Sequence, residues 1–489
     1  MMKQYFVMLL LLSITFGQIE NYTGISTANE SNPAWLINDY TSDFQNLGIE
    51  MNNGKGDFGL MYEPDKIFDI NYIAKGEKQL FKNGIFSGFV AFHQQQLGHK
   101  MWVHNRNPYL GFPFLLADSS IGDMKLNGIH WQLGYSHKLL DDKLFLGSQL
   151  FYNVDEEIKD IFPKPIIKHR DMALSLGAGY KFNQYLQSGI NYTYFDFQEQ
   201  AKTSKYSQDQ DKTPLIFKIR GLDNPIIFRG ETSEERKQTF IGHNLKVDTK
   251  ITDVIAKEIT LLGEFETGEI EAVDGGSYPI NQGTMDATKL AFFVDARFPL
   301  IGKSEIKFCT FGENRKYNAD HPDLNIEVFE FKKEQLGGGL ELIFPLNDHI
   351  TFTPKAFGSS QFLKREDKFN GVLDYFPSTS FGGSLGIELV NYSKINQNMS
   401  VGYSTTKIGD SEIFAENTGW YYNEITAVEE IYYGTDSYTY WIDYHLNFQF
   451  KENRFVIFDI KYQSWNPVDN DYFDDYKDLS VGLKFEIRK

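Results

Sequence analysis

The sequence holds one cysteine, no run of eighteen apolar residues and no excess of positive charge. Lone Cys309 excludes an internal disulfide framework; within EIKFCTFGE it reads as a small packing residue on a strand. The net charge of −18 excludes the basic footprint that nucleic acid requires, so no nucleic-acid partner is expected. Instead it suits acidic loops that face solvent or bind cations. The longest apolar run, within Tyr5–Phe16, follows Lys3 and precedes Gly17. That arrangement predicts a secretory signal peptide over 1–17, cleaved near Gly17–Gln18, and the run is too short for a spanning helix. No cysteine lies beside the cleavage site, which excludes a lipid-anchored lipoprotein. A helical period is also missing from every long segment. An exported chain of this kind crosses a membrane by strands or not at all.

What is present is period-two alternation. In YTYWIDYHLNFQFK, residues 438–451, Tyr438, Tyr440, Ile442, Tyr444, Leu446, Phe448 and Phe450 alternate with mostly polar residues. Successive strand residues point to opposite faces, so one face is aromatic and the other carries Asp443, His445 and Lys451. A strand of fourteen residues is roughly 45 Å long at about 3.3 Å per residue. Tilted by about 45°, it crosses a hydrocarbon layer of roughly 30 Å. The pattern recurs in NGIHWQLGYSHK, DMALSLGAGYKF, TKLAFFVDARF, QLGGGLELIF, SFGGSLGIELV, NMSVGYSTT and DLSVGLKFEIRK. The polar phase is repeatedly small or glycine, as the inside of a curved sheet tolerates.

Connections give the topology. Tight turns fall at Asp141–Asp142, Phe182–Gln184, Leu346–Asp348, Lys394–Gln397 and Glu452–Asn453, with Asn83–Gly84 a hairpin signal. Between them lie polar connections at 96–126, 154–169, 198–236, 267–285, 317–332, 361–379, 409–435 and 467–475. Such alternation of short and long loops belongs to transmembrane barrels. About nineteen candidate strands can be counted. An even count is needed if both ends are periplasmic, which predicts that Phe44–Asn52 lies outside the wall. The expected architecture is all-β, a transmembrane antiparallel up-and-down barrel of about eighteen strands. Sixteen follow if Gly56–Tyr62 also lies outside. Residues 18–43 are expected to form a periplasmic or plug segment and 44–489 the barrel.

By alternation, Asp295, Arg297, Lys307, Glu341, Lys355, Glu388, Asp443, His445, Asp459, Lys461, Lys484 and Glu486 are expected to face the lumen. Such charges pair across and hydrate an interior, or line a polar permeation path with little ion preference. Segment 96–126 is too apolar for a free loop. Trp102, Tyr109, Phe112 and Phe114 are therefore expected to fold inward as a constriction or to pack on a partner, as are Leu115 and Leu116. His93, His99 and His104 match no zinc spacing, and no metal is expected there. Asp469, Asp471, Asp474 and Asp475 supply oxygen ligands suited to Ca²⁺, but without the glycine and terminal Glu of an EF-hand loop. A solvated acidic loop is the plainer reading. No Gly-x-Ser-x-Gly or other nucleophile signature occurs, so no enzyme and no cofactor are expected.

Two resemblances add to this. Ser480, Gly482, Phe485 and Ile487 resemble the C-terminal signal by which bacterial outer-membrane barrels are recognised, although the chain ends Ile487-Arg488-Lys489 without the usual final aromatic. That implies the assembly machinery as a partner, besides outer-membrane lipid. NPAWL near the start and KHRDMALSLGAGYKF at 168–182 resemble an uncharacterised family of Bacteroidota outer-membrane β-barrels, which implies no activity. Asn32-Pro33-Ala34 also resembles the N-terminal plug of long-chain fatty-acid transporters, which implies carriage of hydrophobic compounds. The expected function is passage or binding of small solutes at the bacterial outer membrane. The alternative is a plugged structural subunit that binds a lipoprotein or a second barrel.

Overall fold

The computed structural model describes residues 32–488 apart from 103, 105–111, 204–214, 224, 230–233, 276–277, 325, 393 and 417. Expectations for the signal peptide and for Tyr109 fall outside the described residues. The first strands are β1 (Phe44–Gly56), β2 (Lys66–Phe81), β3 (Gly84–Lys100), β4 (Leu116–Ala117), β5 (Gly122–Leu139) and β6 (Leu144–Lys159). There follow β7 (Ile166–Lys181), β8 (Leu186–Thr203), β9 (Leu215–Lys218), β10 (Ile226–Arg229), β11 (Glu234–Thr252) and β12 (Glu258–Asp274). Next are β13 (Ile280–Pro299), β14 (Glu305–Asp320), β15 (Glu327–Pro345), β16 (Ile350–Asp367) and β17 (Val372–Tyr392). The last are β18 (Ile395–Ile408), β19 (Glu412–Ala415), β20 (Ser437–Lys451), β21 (Arg454–Pro467) and β22 (Tyr476–Arg488).

Eighteen of these form a closed antiparallel barrel in which each wall strand pairs with the next. Strand β22 returns to β1, from Phe44 opposite Arg488 to Gly56 opposite Tyr476. Short β19 only extends the end of β17, while β4, β9 and β10 make a separate three-stranded sheet. Among the described residues no helix is long and apolar enough to cross a membrane.

The outer surface follows the alternation. Leu47, Leu176, Leu290, Leu385 and Leu483 are each more than half exposed, and all lie on the outward phase. No water-soluble protein leaves a continuous band of such side chains uncovered, whereas a lipid-facing wall requires one. Tyr403 and Tyr438, and Tyr440 and Tyr462, pair on this outer face with centroids 6.0 Å apart.

Two expectations are corrected. Phe44–Asn52 is not outside the wall; it is most of β1, the strand on which closure depends. Eighteen strands result because Phe44–Asn52 lies in the wall and Gly56–Tyr62, which adds no strand beyond Gly56, lies outside it; with only one of the two outside, sixteen does not follow. Phe58, Leu60 and Tyr62 alternate like a strand. Their apolar side chains face folded loops, however: Leu60 and Tyr62 are buried beside Trp102, Tyr432 and Tyr433. Several connections are also shorter than the polarity suggested. The stretch 154–169 shrinks to 160–165, and 361–379 to 368–371, because strands run on past the apolar belt. Polarity marks where the bilayer stops, not where strand pairing stops. Three long connections remain, at 101–121, 204–233 and 409–436.

Leu174→Arg on the lipid face should cost about 2–4 kcal/mol of folding into vesicles near the midplane. The inward-facing neighbour Ser175→Ala should cost under about 1 kcal/mol. Denaturant titration in phospholipid vesicles measures both.

Candidate lumenal site

Inside the wall the described residues begin with a docked turn. Pro33–Trp35 form a 3-10 turn, Pro33 opening it and Asn32 accepting a hydrogen bond from the Ala34 amide; a single α-turn, Leu36–Asp39, follows. Asn32 Nδ2 and Trp35 Nε1 donate to the two oxygens of Asp248 on β11, at 2.9 and 2.5 Å. Ser136 Oγ donates to the Ala34 carbonyl at 2.7 Å, and Lys181 Nζ to Asn38 Oδ1 at 3.1 Å. Trp35 stacks on Phe145, centroids 5.3 Å apart.

The wall beneath is cut to fit. A Cβ at Gly147, Gly177, Gly179 or Gly189 would collide with Asn32, Pro33, Ala34 or Trp35. The close approach explains the glycines in LSLGAGYK. The segments NPAWL and KHRDMALSLGAGYKF, far apart in sequence, are thus two sides of one contact.

At the long-loop end the described parts of the three long connections fold into the barrel and form a lid. Phe112 and Phe114 are buried, edge to face at 5.5 Å, and pack on Ile270, Ala272, Met285 and Tyr317 of the inner wall. Gly283 leaves the room that the Phe114 ring fills. Leu116 packs on Met124, Ile167 and Ala201. Trp102 is half-buried against Phe217 and Trp420, at 5.2 and 5.6 Å. A π-turn, Tyr422–Thr426, runs into the α-helix Ala427–Tyr433, and Ile425 is fully buried beside Phe217 and Ile219. Each large apolar side chain buried in this way contributes about 1.5–3 kcal/mol.

Buried charges pin each loop to the wall. Asp118 receives His104 Nε2 at 2.5 Å and Lys159 Nζ of β6 at 2.9 Å. Burial alone would raise the Asp118 carboxyl, but His104 and Lys159 outweigh it and hold it well below the usual range. Lys218 Nζ lies 2.9 Å from Asp274 on β12, which Arg236 also binds at 2.6 Å. Asp223 accepts the Gly419 and Tyr422 amides, joining the second loop to the third. Arg365 of β16 bridges Asp374 of β17, at 2.7 Å, and Glu429 of the lid helix. Beside them, burial and the neighbouring Asp374 push Glu430 up to about 8, against the stabilising effect of the Tyr422 hydroxyl, which donates at 2.8 Å. Glu430 therefore carries a proton at neutral pH.

Between turn and lid lies a cavity of about 1130 Å³, with Asn32, Pro33 and Leu36 in its floor and Gln132, Gln149, Thr193, Phe240 and Lys289 among its walls. A second cavity of about 400 Å³ lies across the lumen, lined by Glu50, Asp69, Asp443, Lys461, Trp441 and Asp478.

The charged residues read from alternation are dispersed around this interior. Lys307 lies 3.0 Å from Asp295, Lys355 3.2 Å from Glu341, and Arg297 3.6 Å from Glu305. His445 meets Asp459 at 2.6 Å, and Lys484 meets Glu50 at 2.6 Å and Asp459 at 3.5 Å. Asn46 donates to Glu486 at 3.4 Å. Asp443 stands opposite Lys461, and Glu388 opposite Thr351, exposed near the short turns. None of the twelve lines the larger cavity. His99 pairs with Asp65 at 2.8 Å while His104 is buried in the lid. Asp475 pairs with Lys477, and Asp474 donates its amide to Asp57, at 2.5 Å. Among the described residues no group of three ligating side chains could hold a metal.

The sequence reading missed Asp248, Arg365, Asp374, Glu429 and the inward phenylalanines Phe89, Phe151, Phe195, Phe197 and Phe240. A signal existed for the last group: in NYTYFDF, Phe195 and Phe197 fall on the polar phase of their strand.

Fold and interior together define a closed membrane β-barrel of the outer-membrane type, with a docked N-terminal turn and an inward-folded lid. Residues 33–299, more than half the chain, match the family of unknown function DUF6850, and the chain belongs to it. The curated proteins include no match. Among solved structures, similarity extends to the siderophore receptor PiuA from Acinetobacter baumannii (8% identity, 91% of this chain, 82% of that one, TM-score 0.41). The outer membrane transporter YddB from Escherichia coli matches at 7% identity, over 92% and 81% of the two chains, with TM-score 0.42. The Pseudomonas putida toluene transporter TodX matches at 10%, over 98% and 95%, with TM-score 0.32.

Asp248→Ala should release the Asn32–Tyr40 turn, since two hydrogen bonds to a buried carboxylate are worth about 1.5–3 kcal/mol each. The check is a red shift of Trp35 fluorescence in a protein whose other tryptophans are replaced by phenylalanine. The lid should also respond to pH. Glu430 holds its proton more tightly folded than unfolded, so its contribution is complete below about pH 4.5 and lost as pH rises through about 8. Hydrogen exchange over 420–433 should quicken across that window in the wild type and lose this dependence in Glu430→Gln.

Proposed function

We propose that this chain is an outer-membrane channel or transporter for small solutes, shut at its long-loop face by the lid and performing no catalytic chemistry. The observation that carries this is the cavity of about 1130 Å³, floored by the docked turn and enclosed by a continuous wall. In outer-membrane barrels the short turns are periplasmic and the long loops extracellular. On that rule the lid faces outward and the N-terminal turn inward. Export through a cleaved signal peptide and an origin in Bacteroidota belong to the same reading, supported by residues 1–17 and by the NPAWL and KHRDMALSLGAGYKF segments. Recognition by the assembly machinery is supported by Ser480, Gly482, Phe485 and Ile487 on the closing strand β22.

A second reading has one observation in its favour. The apolar, ion-paired lid suits a barrel that never opens, which is the design of a structural subunit bound to a lipoprotein or another barrel.

Single-channel recording in planar bilayers separates the two. The wild type should conduct rarely. Arg365→Gln leaves Asp374 and Glu429 without their cation, a loss of about 3–5 kcal/mol for a buried pair, and should open the pore more often. Shortening 101–121 should act in the same direction. Silence in all three, with a stoichiometric partner co-purifying, would overturn the channel reading.

A further inference from the structure

Register places two unlike rows on the wall of the larger cavity. Phe89, Gln132, Phe151, Ala173 and Phe195 stand opposite one another in sequence along β3, β5, β6, β7 and β8. One step nearer the short turns run Ser87, Gly134, Gln149, Ser175, Thr193 and Asn244, continuing onto β11. The first row presents aromatic faces and the second hydroxyls and amides. Phe195 also packs on Phe197 and Phe240, at 5.1 and 4.9 Å, so the apolar arc turns upward beneath the lid. Phe89 and Phe151 flank the His130 ring, with centroids at 4.7 and 5.8 Å, and because lumenal walls of membrane barrels are polar this run of inward rings stands out as an apolar surface along the cavity.

Part of the charge lining this cavity is held in ion pairs, while Lys75, Glu77, Glu199, Lys246 and Glu266 also line it. Lys289 pairs with Glu264 at 3.1 Å and Glu313 at 4.0 Å; Arg315 pairs with Glu313 at 3.2 Å and His169 with Asp171 at 3.2 Å. At these pairs a charged ligand would have to displace a partner already in place. Asn244 gives its amide hydrogens to Glu264 and Glu266, at 2.6 and 2.9 Å, while its buried Oδ1 accepts none from the described residues. That oxygen is an acceptor for a donor on a ligand or solvent. Hydroxyl and amide groups both donate and accept, and so match ligand hydroxyls better than carboxylates or ammonium groups.

We propose that this double row is a binding site for neutral saccharides, successive sugar rings of a short chain laying their C–H faces on Phe89, Phe151 and Phe195 and their hydroxyls on Ser175, Thr193 and Asn244. It rests on the reading of the chain as a solute transporter and supplies the solute class. The cavity, somewhat larger than the roughly 300–1,000 Å³ of drug-sized ligand sites, takes a short oligosaccharide rather than a single ring.

The test is titration calorimetry on the full-length barrel in detergent, wild type and Arg365→Gln, with maltotriose and cellotriose as probes. Toluene and triglutamate are the apolar and charged comparisons. Phe151→Leu keeps apolar volume but removes the ring, and Thr193→Val removes one hydroxyl. Each should weaken trisaccharide binding about tenfold or more, while outward-facing Leu174→Met leaves it unchanged. Preference for toluene or triglutamate, or trisaccharide binding indifferent to both inward variants, overturns the proposal. So does absence of saturable trisaccharide binding in both backgrounds. Solute flux into proteoliposomes of the same preparations keeps the two readings apart. Flux without saturable trisaccharide binding retains transport and removes the saccharide site; binding without flux retains the site and removes transport.

Discussion

Every backbone amide and carbonyl in a hydrocarbon layer needs a partner, and no water is there to provide one. In a sheet that demand is met only by closure, so the pairing of β1 with β22 is the contact on which the rest of this structure depends. Closure fixes an inside and an outside for each residue of each wall strand. It lets Leu176 and Leu290 lie open on one face while Asp248 and Lys289 are buried on the other. It also makes the first and last wall strands equal in importance to any central one, although neither looks remarkable in hydropathy.

Inside the wall, packing is specified by two opposite means. At the short-turn end the wall gives way: glycines on β6, β7 and β8 remove side chains so that Asn32–Trp35 can lie against backbone, with Asp248 holding both polar groups. At the other end the loops supply the bulk, filling the mouth with Phe112, Phe114, Phe217 and Ile425. The lid is tied down by buried ion pairs whose members come from both wall and loop. Such pairs add little net stability over apolar residues of equal size, but removing one member is costly. A lid held in this way has a defined closed position and a small number of residues on which that position rests.

The cavity is what remains between these two ends. Its floor is the docked turn, so in the proposed transporter access from the short-turn side and solute binding would depend on the same residues, Asn32, Pro33 and Leu36. Its walls carry rings, amides and hydroxyls beside charges of both signs, several of them held in ion pairs. The paired charges spread over the rest of the lumen, such as Lys307 with Asp295, keep the interior wet without creating a field of one sign.

Period-two alternation, the lack of any spanning helix and the sequence of turns determined the class of fold and the approximate size of the barrel, because side-chain direction in a strand is a local property. The inward or outward phase of YTYWIDYHLNFQFK was legible for the same reason. What alternation does not carry is which strand meets which outside the hairpins, and what a polar-looking connection does once the barrel has closed. Phe44–Asn52 was misplaced because wall membership is decided by pairing with a strand more than four hundred residues away. Phe58, Leu60 and Tyr62 imitate a strand because a lid, assembled from three distant loops, shields their apolar side chains as lipid would. Both halves of the docked turn stood in the sequence as motifs, yet their contact needed β6, β7, β8 and β11 side by side. The double row of rings and hydroxyls is decided by tertiary structure too: each strand supplies one or two of its residues, and only register across six hydrogen-bonded neighbours sets them level.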